Sequence, residues 1–124
     1  MYQILKDMFT TTKHQELMHE CMEWDLNLKA MKERINEWRN ELYALSPFRQ
    51  QQEEKMDIEH FHNQFHIQMI NLHDLIHEIE QHMSQADEHP ENRYKEPHQA
   101  LKGKYEALVK IIEELEATFK EFAR

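Results

Sequence analysis

Leu17, Cys21, Trp24, Leu28, Met31, Ile35, Trp38, Leu42 and Leu45 follow one another at alternating steps of four and three residues. Nothing else in the chain restricts its fold as strongly. An α-helix turns once per about 3.6 residues, so a repeat of about 3.5 draws one narrow apolar seam along a helix and no comparable stripe along a strand. The alternation recurs in Ile58, His62, Phe65, Met69, Leu72, Ile76, Ile79 and Met83, where His62 is the polar member, and again in Leu101, Tyr105, Leu108, Ile112, Leu115, Phe119 and Phe122. Three seams predict three long amphipathic helices. With 1 Gly and 3 Pro in 124 residues, the chain has too little turn chemistry for a sheet, and the expected class is all-α.

The sequence marks where these helices should end. Thr12 with Gln15 three residues on spells a capping box, so helix 1 is expected over 12–45. Residues 1–11, with the apolar cluster Tyr2, Ile4, Leu5, Met8 and Phe9, are expected as a separate short helix or arm. Ser46-Pro47 closes helix 1 and offers an N-cap and first position for helix 2, expected over 47–86. Its start is the weakest point, because the seam extended backward from Ile58 meets Lys55 and Gln51. Pro90 and Pro97 punctuate the next connection, and Pro97 suits the first position of helix 3, expected over 97–123. Short connections make successive helices antiparallel neighbours. The expected architecture is a single domain, 1–124: an elongated, antiparallel up-down-up three-helix bundle with coiled-coil-like heptad packing.

Charge excludes several functions. The net charge of −9 is concentrated in residues 46–96, which carry −7. No basic stripe exists to neutralise phosphates, which argues against nucleic acid and against an anionic membrane surface as partners. No signal peptide or membrane span is legible, and the one cysteine, Cys21, can form no intrachain disulfide, so a cytoplasmic location is expected. Cys21 falls on the first seam and reads as an inert core thiol, and Trp24 and Trp38 read as core.

Ten histidines are the unusual feature of the composition. His62/His66 and His73/His77 have the i, i+4 spacing with which two imidazoles on one helical face can share a metal ion. Glu16-Leu-Met-His19 and Glu59-His-Phe-His62 match the Glu-x-x-His spelling of di-iron bundles, but antiparallel helices would put the two pairs at opposite ends of the molecule. A better cluster comes from the topology. The seams of helices 1 and 3 extend back to His14 and His98, at the end where helix 2 finishes with His82, and His77 lies a turn away. No cofactor is required by the sequence, but such a set would suit Zn, Ni, Cu or Fe.

Helix 2 also presents Met56, Ile67 and Ile70 away from its seam, on a face that a bundle helix should keep polar, while Phe61 and Leu75, beside the seam, are expected to widen its buried face. No phosphate-binding loop, nucleophile elbow or credible acid–base dyad is legible, so no enzymatic activity is expected. The leading expectation is a non-enzymatic interaction or scaffold bundle that self-associates or binds a protein partner through Met56, Ile67 and Ile70. A metal-binding helical protein using His14, His77, His82 and His98, or His62, His66 and His73, is the alternative. A pH-responsive bundle is the third, since seven histidines share residues 46–96 with that negative charge.

Overall fold

Three α-helices make up the protein in a computed structural model that describes residues 2–89 and 94–124, with side chains described from residue 13 onward. They are α1 (Tyr2–Leu45), α2 (Gln52–Glu88) and α3 (Lys95–Ala123), with a 3-10 turn at Ser46–Phe48 and no strand among the described residues. No helix among them is long and apolar enough to cross a membrane.

The boundaries differ from expectation in three instructive places. Helix α1 runs unbroken from Tyr2 through the threonines, so the expected arm over 1–11 and the cap at Thr12 are not formed. A threonine inside a helix costs at most about 0.7 kcal/mol relative to alanine, and neither Gly nor Pro interrupts the run. The side chains of the apolar cluster Tyr2, Ile4, Leu5, Met8 and Phe9 lie outside the described ones. Helix α2 begins at Gln52 rather than 47, because Pro47 is used by the 3-10 turn and Arg49 leaves helical geometry at φ −126° and ψ 66°. Gln51, in extended conformation, then caps α2 through a reciprocal box with Glu54. Helix α3 begins at Lys95, two residues before Pro97. The missing N–H of Pro97 costs nothing there, since the first turn has no intrahelical partners for its donors. The backbone N–H of His98 makes the first bond, to the Tyr94 carbonyl at 2.8 Å.

All three helices bury residues in one core. On α1, Cys21, Trp24, Leu28, Met31, Ile35, Trp38 and Leu42 are buried, as their spacing requires. On α3, Leu101, Leu108, Ile112 and Phe119 are buried, with Tyr105, Leu115 and Phe122 packed at the edge. Helix α2 is different: its buried set is Phe61, Phe65, Gln68, Leu72, Leu75, Ile76, Ile79, His82 and Ala86. Phe65, Leu72, Ile76 and Ile79 keep their expected places, but the helix is turned so that Phe61 replaces His62, Gln68 replaces Met69 and His82 replaces Met83. The turn carries Phe61 into a group of rings, with centroids 6.0 Å from Phe65, 5.4 Å from Phe119 and 5.2 Å from Phe122. Burying an aromatic ring instead of an imidazole favours this setting, and Ile58, Met69 and Met83 still pack along its margin. The displaced His62 is exposed.

Cross-helix pairs give the helices their relative order. Between α1 and α3 the numbers rise together: Asn27 Nδ2 donates to Tyr105 Oη at 2.7 Å, and Arg34 meets Glu116 at 2.6 Å. Between α1 and α2 they run oppositely, from Lys29–Glu80 at 3.4 Å to Trp38–Phe65 and Tyr43–His62. Between α2 and α3 they also run oppositely, from His82–His98 through Glu78–Lys104 to Phe61–Phe119. After α1, Arg49 reaches the last turn of α3, donating to the Phe122 carbonyl at 2.7 Å and the Arg124 carbonyl at 3.0 Å while its guanidinium lies over the Phe122 ring. These are carbonyls a helix C-terminus leaves without internal partners, so a cation there satisfies both hydrogen bonding and the helix dipole.

Candidate metal centre

The far end of the core, where α2 finishes and α3 begins, is built differently. The seam of α1 places Cys21 there with no exposed surface. The rotation of α2 brings in His82, which is buried, and the first turn of α3 supplies His98, which is nearly so. One donor atom from each of Cys21, His82 and His98 can be chosen so that all three lie within 4.8 Å of one another. His98 Nδ1 is the hub, 3.3 Å from His82 Nε2 and 3.8 Å from Cys21 Sγ. A tetrahedral zinc ion with Zn–N of about 2.05 Å and Zn–S of about 2.3 Å spaces two nitrogens about 3.3 Å apart and a nitrogen and sulfur about 3.6 Å apart. Two of the edges therefore already match a metal polyhedron to within a few tenths of an ångström.

Aromatic rings enclose the three ligand-type side chains. Trp24 stacks on His98 at 4.8 Å, and Tyr105 backs Trp24 at 5.5 Å. The rings of His82 and His98 stack at 5.5 Å, and Tyr94 stands edge-on to His82 at 5.7 Å while its hydroxyl donates to the Gln85 carbonyl at 3.0 Å. On the opposite side of His98, its Nε2 faces Glu20 Oε1 at 3.4 Å.

Thiol, imidazole and carboxylate in a row also spell a nucleophile, its base and an orienting acid. The electrostatics argue against that use. Burial, with the neighbouring Glu20 carboxylate second, pushes the Cys21 thiol up to about 11, so at neutral pH it stays protonated, and no face of it meets solvent. Burial, with His98 second, lowers the pKa of His82 and keeps it a neutral imidazole. Neutral imidazoles are ready to coordinate, and a bound cation would drive off the thiol proton outright.

The remaining sequence candidates are placed elsewhere. His14 lies one heptad before Cys21, about 10.5 Å along the helix, and its Nε2 faces Asp87 at 3.8 Å. The seam of α1 meets His82 and His98 at Cys21, so the expected convergence of His14 with them is not formed. His77 is exposed, as are His62, His66 and His73. Among the described residues the Cys21–His82–His98 group is the one grouping of three metal-ligand residues, and neither i, i+4 pair on α2 gains a third ligand. Cys21 was legible as a core position, but its height relative to His98 depends on the axial register of α3 against α1, which periodicity does not fix: the seams align His98 with His14, one heptad away. Met56, Ile67 and Ile70 are exposed at 63%, 44% and 48%, on the outer side of α2 as their spacing predicts.

No protein-family model, curated protein or solved structure matches this chain.

Proposed function

We propose that this chain is a transition-metal-binding protein, an antiparallel up-down-up three-helix bundle that takes one ion between Cys21, His82 and His98. The observation behind this reading is the convergence of one sulfur and two imidazole nitrogens, one from each helix, at spacings close to the edges of a coordination tetrahedron. The parallel order of the α1–α3 pairs and the opposite order of the two pairings with α2 support the topology. The steps of four and three between buried residues support coiled-coil-like packing.

A thiolate with two imidazoles is a borderline-soft donor set that suits Zn²⁺, with Co²⁺ as its coloured substitute. Loading exchanges the thiol proton for the metal, so one proton leaves per ion bound at neutral pH. Because the ligands come from three helices, the ion cross-links the core at its α2–α3 end. Titration of untagged protein with Zn²⁺ by calorimetry should give one site per chain, and Co²⁺ should give a thiolate charge-transfer band that Cys21→Ser removes. Absence of a saturable site in both titrations would overturn the reading.

A second reading, a self-associating interaction module, is favoured by the exposed apolar residues Met56, Ile67 and Ile70 on α2. It requires that Ile67→Lys together with Ile70→Lys reduce association in sedimentation velocity while leaving helix content unchanged. Association that persists in the double variant would end it.

A further inference from the structure

Two contacts fix how His98 must be protonated for the centre to work. Its Nδ1 is the atom turned toward Cys21 Sγ and His82 Nε2, at 3.8 and 3.3 Å. Its Nε2 points the other way, to Glu20 Oε1 at 3.4 Å. A neutral imidazole has one N–H and one bare nitrogen, and which nitrogen is bare is decided by the hydrogen bond the other one makes. In water the two tautomers interchange freely, and only the one with its proton on Nε2 can offer Nδ1 to a cation.

We propose that Glu20 is a positioning residue of the centre, accepting the Nε2–H of His98 so that Nδ1 is held bare and aimed at the metal between Cys21 and His82. This inference rests on the metal-binding reading above and adds a residue that is itself no ligand. Carboxylate, imidazole and metal then stand in line, the arrangement in which an outer carboxylate fixes the ring, raises the basicity of the coordinating nitrogen and adds charge opposite to the cation. The location of Glu20 suits that part. It is the residue before Cys21 on α1, so the helix that supplies the sulfur ligand also supplies the group that orients a ligand of α3. Its side chain is 43% exposed against 12% for His98, so the carboxylate remains solvated while the ring it holds is enclosed by Trp24 and His82.

Among the described residues, no carboxylate is paired with His82 in this way. In the metal-free protein its Nε2–H can donate to the bare His98 Nδ1, and on loading that proton moves to His82 Nδ1 so that Nε2 can coordinate. The proton count stays at one released per ion, from Cys21. Glu20 thus makes His98 the pre-oriented ligand of the pair.

The test compares the full-length chain with Glu20→Gln, which keeps a hydrogen-bond acceptor and loses the charge, and Glu20→Ala, which loses both. A half-exposed helix position tolerates either change, and thermal melts of the metal-free proteins check that the fold persists. Zinc affinity, read by competition with a chromogenic chelator, should fall in the order wild type, Glu20→Gln, Glu20→Ala, the last by about 10–100-fold. Nitrogen-15 NMR of the metal-free imidazoles should show the proton of His98 on Nε2 in wild type and divided between the two nitrogens in Glu20→Ala, a shift that a merely structural role would not cause. Equal zinc affinity in the three proteins would overturn the role of Glu20 and leave the metal centre standing. A wild-type chain that binds no zinc would overturn both.

Discussion

Single residues here have different consequences depending on which side of a helix they occupy. Gly103 lies on the exposed face of α3, and a methyl group built on it meets nothing within 4 Å. Its backbone is helical, so Gly103→Ala removes unfolded-state entropy without strain and should raise stability by about 0.5–1 kcal/mol, read as a higher urea midpoint at unchanged slope. Cys21 shows the opposite case, a residue read from spacing as a buried core thiol, and found buried with its thiol pushed up to about 11, whose neighbours the sequence did not show. Its place on the seam was plain from spacing, but that two imidazoles stand beside it depends on helices 61 and 77 residues further along. Nothing local in "HECMEW" carries that information.

At the scale of the element, α2 explains most of what the sequence concealed. On the first and third helices every buried core residue among the described ones lies on its expected seam. Helix α2 has apolar residues on two adjoining stripes, Ile58, Met69, Ile76 and Met83 on one side and Phe61 and Leu75 on the other, sharing Phe65, Leu72 and Ile79. Periodicity alone cannot choose between them; the rings of Phe119 and Phe122 on α3 do. The choice has measurable weight. Phe61→Ala should cost about 3–5 kcal/mol, as for a large buried ring, whereas His62→Ala should change stability by no more than about 0.5 kcal/mol. Chemical denaturation of the two variants distinguishes the observed setting of α2 from the alternative in which His62 faces the core. The same rotation brings His82 inward to His98, its expected neighbour at this end of the bundle, and sets both beside Cys21, which spacing alone did not mark as a ligand.

For the whole molecule, pH acts through a buried imidazole. Because His82 is held below its ordinary value, the unfolded chain takes up this proton first as pH falls. The stability tied to its neutral form is therefore present above about pH 6.5 and is lost as pH drops below it. Between pH 7.5 and 5.5 wild type should lose melting temperature relative to His82→Gln, in which the buried titration is gone. Zinc affinity should fall by about tenfold per pH unit over the range where the thiol alone must lose a proton. Arg49, bonded to the carbonyls of Phe122 and Arg124, sets a contrast with all of this. A guanidinium keeps its charge at every physiological pH, so one end of α3 is fastened unconditionally, while the contacts at its other end include His82, a buried imidazole whose pKa is lowered. The protein consequently has a direction in which it opens. Amide hydrogen exchange in the metal-free chain at mildly acidic pH should be faster over residues 98–104 than over 115–119, and zinc should slow the first set and leave the second unchanged.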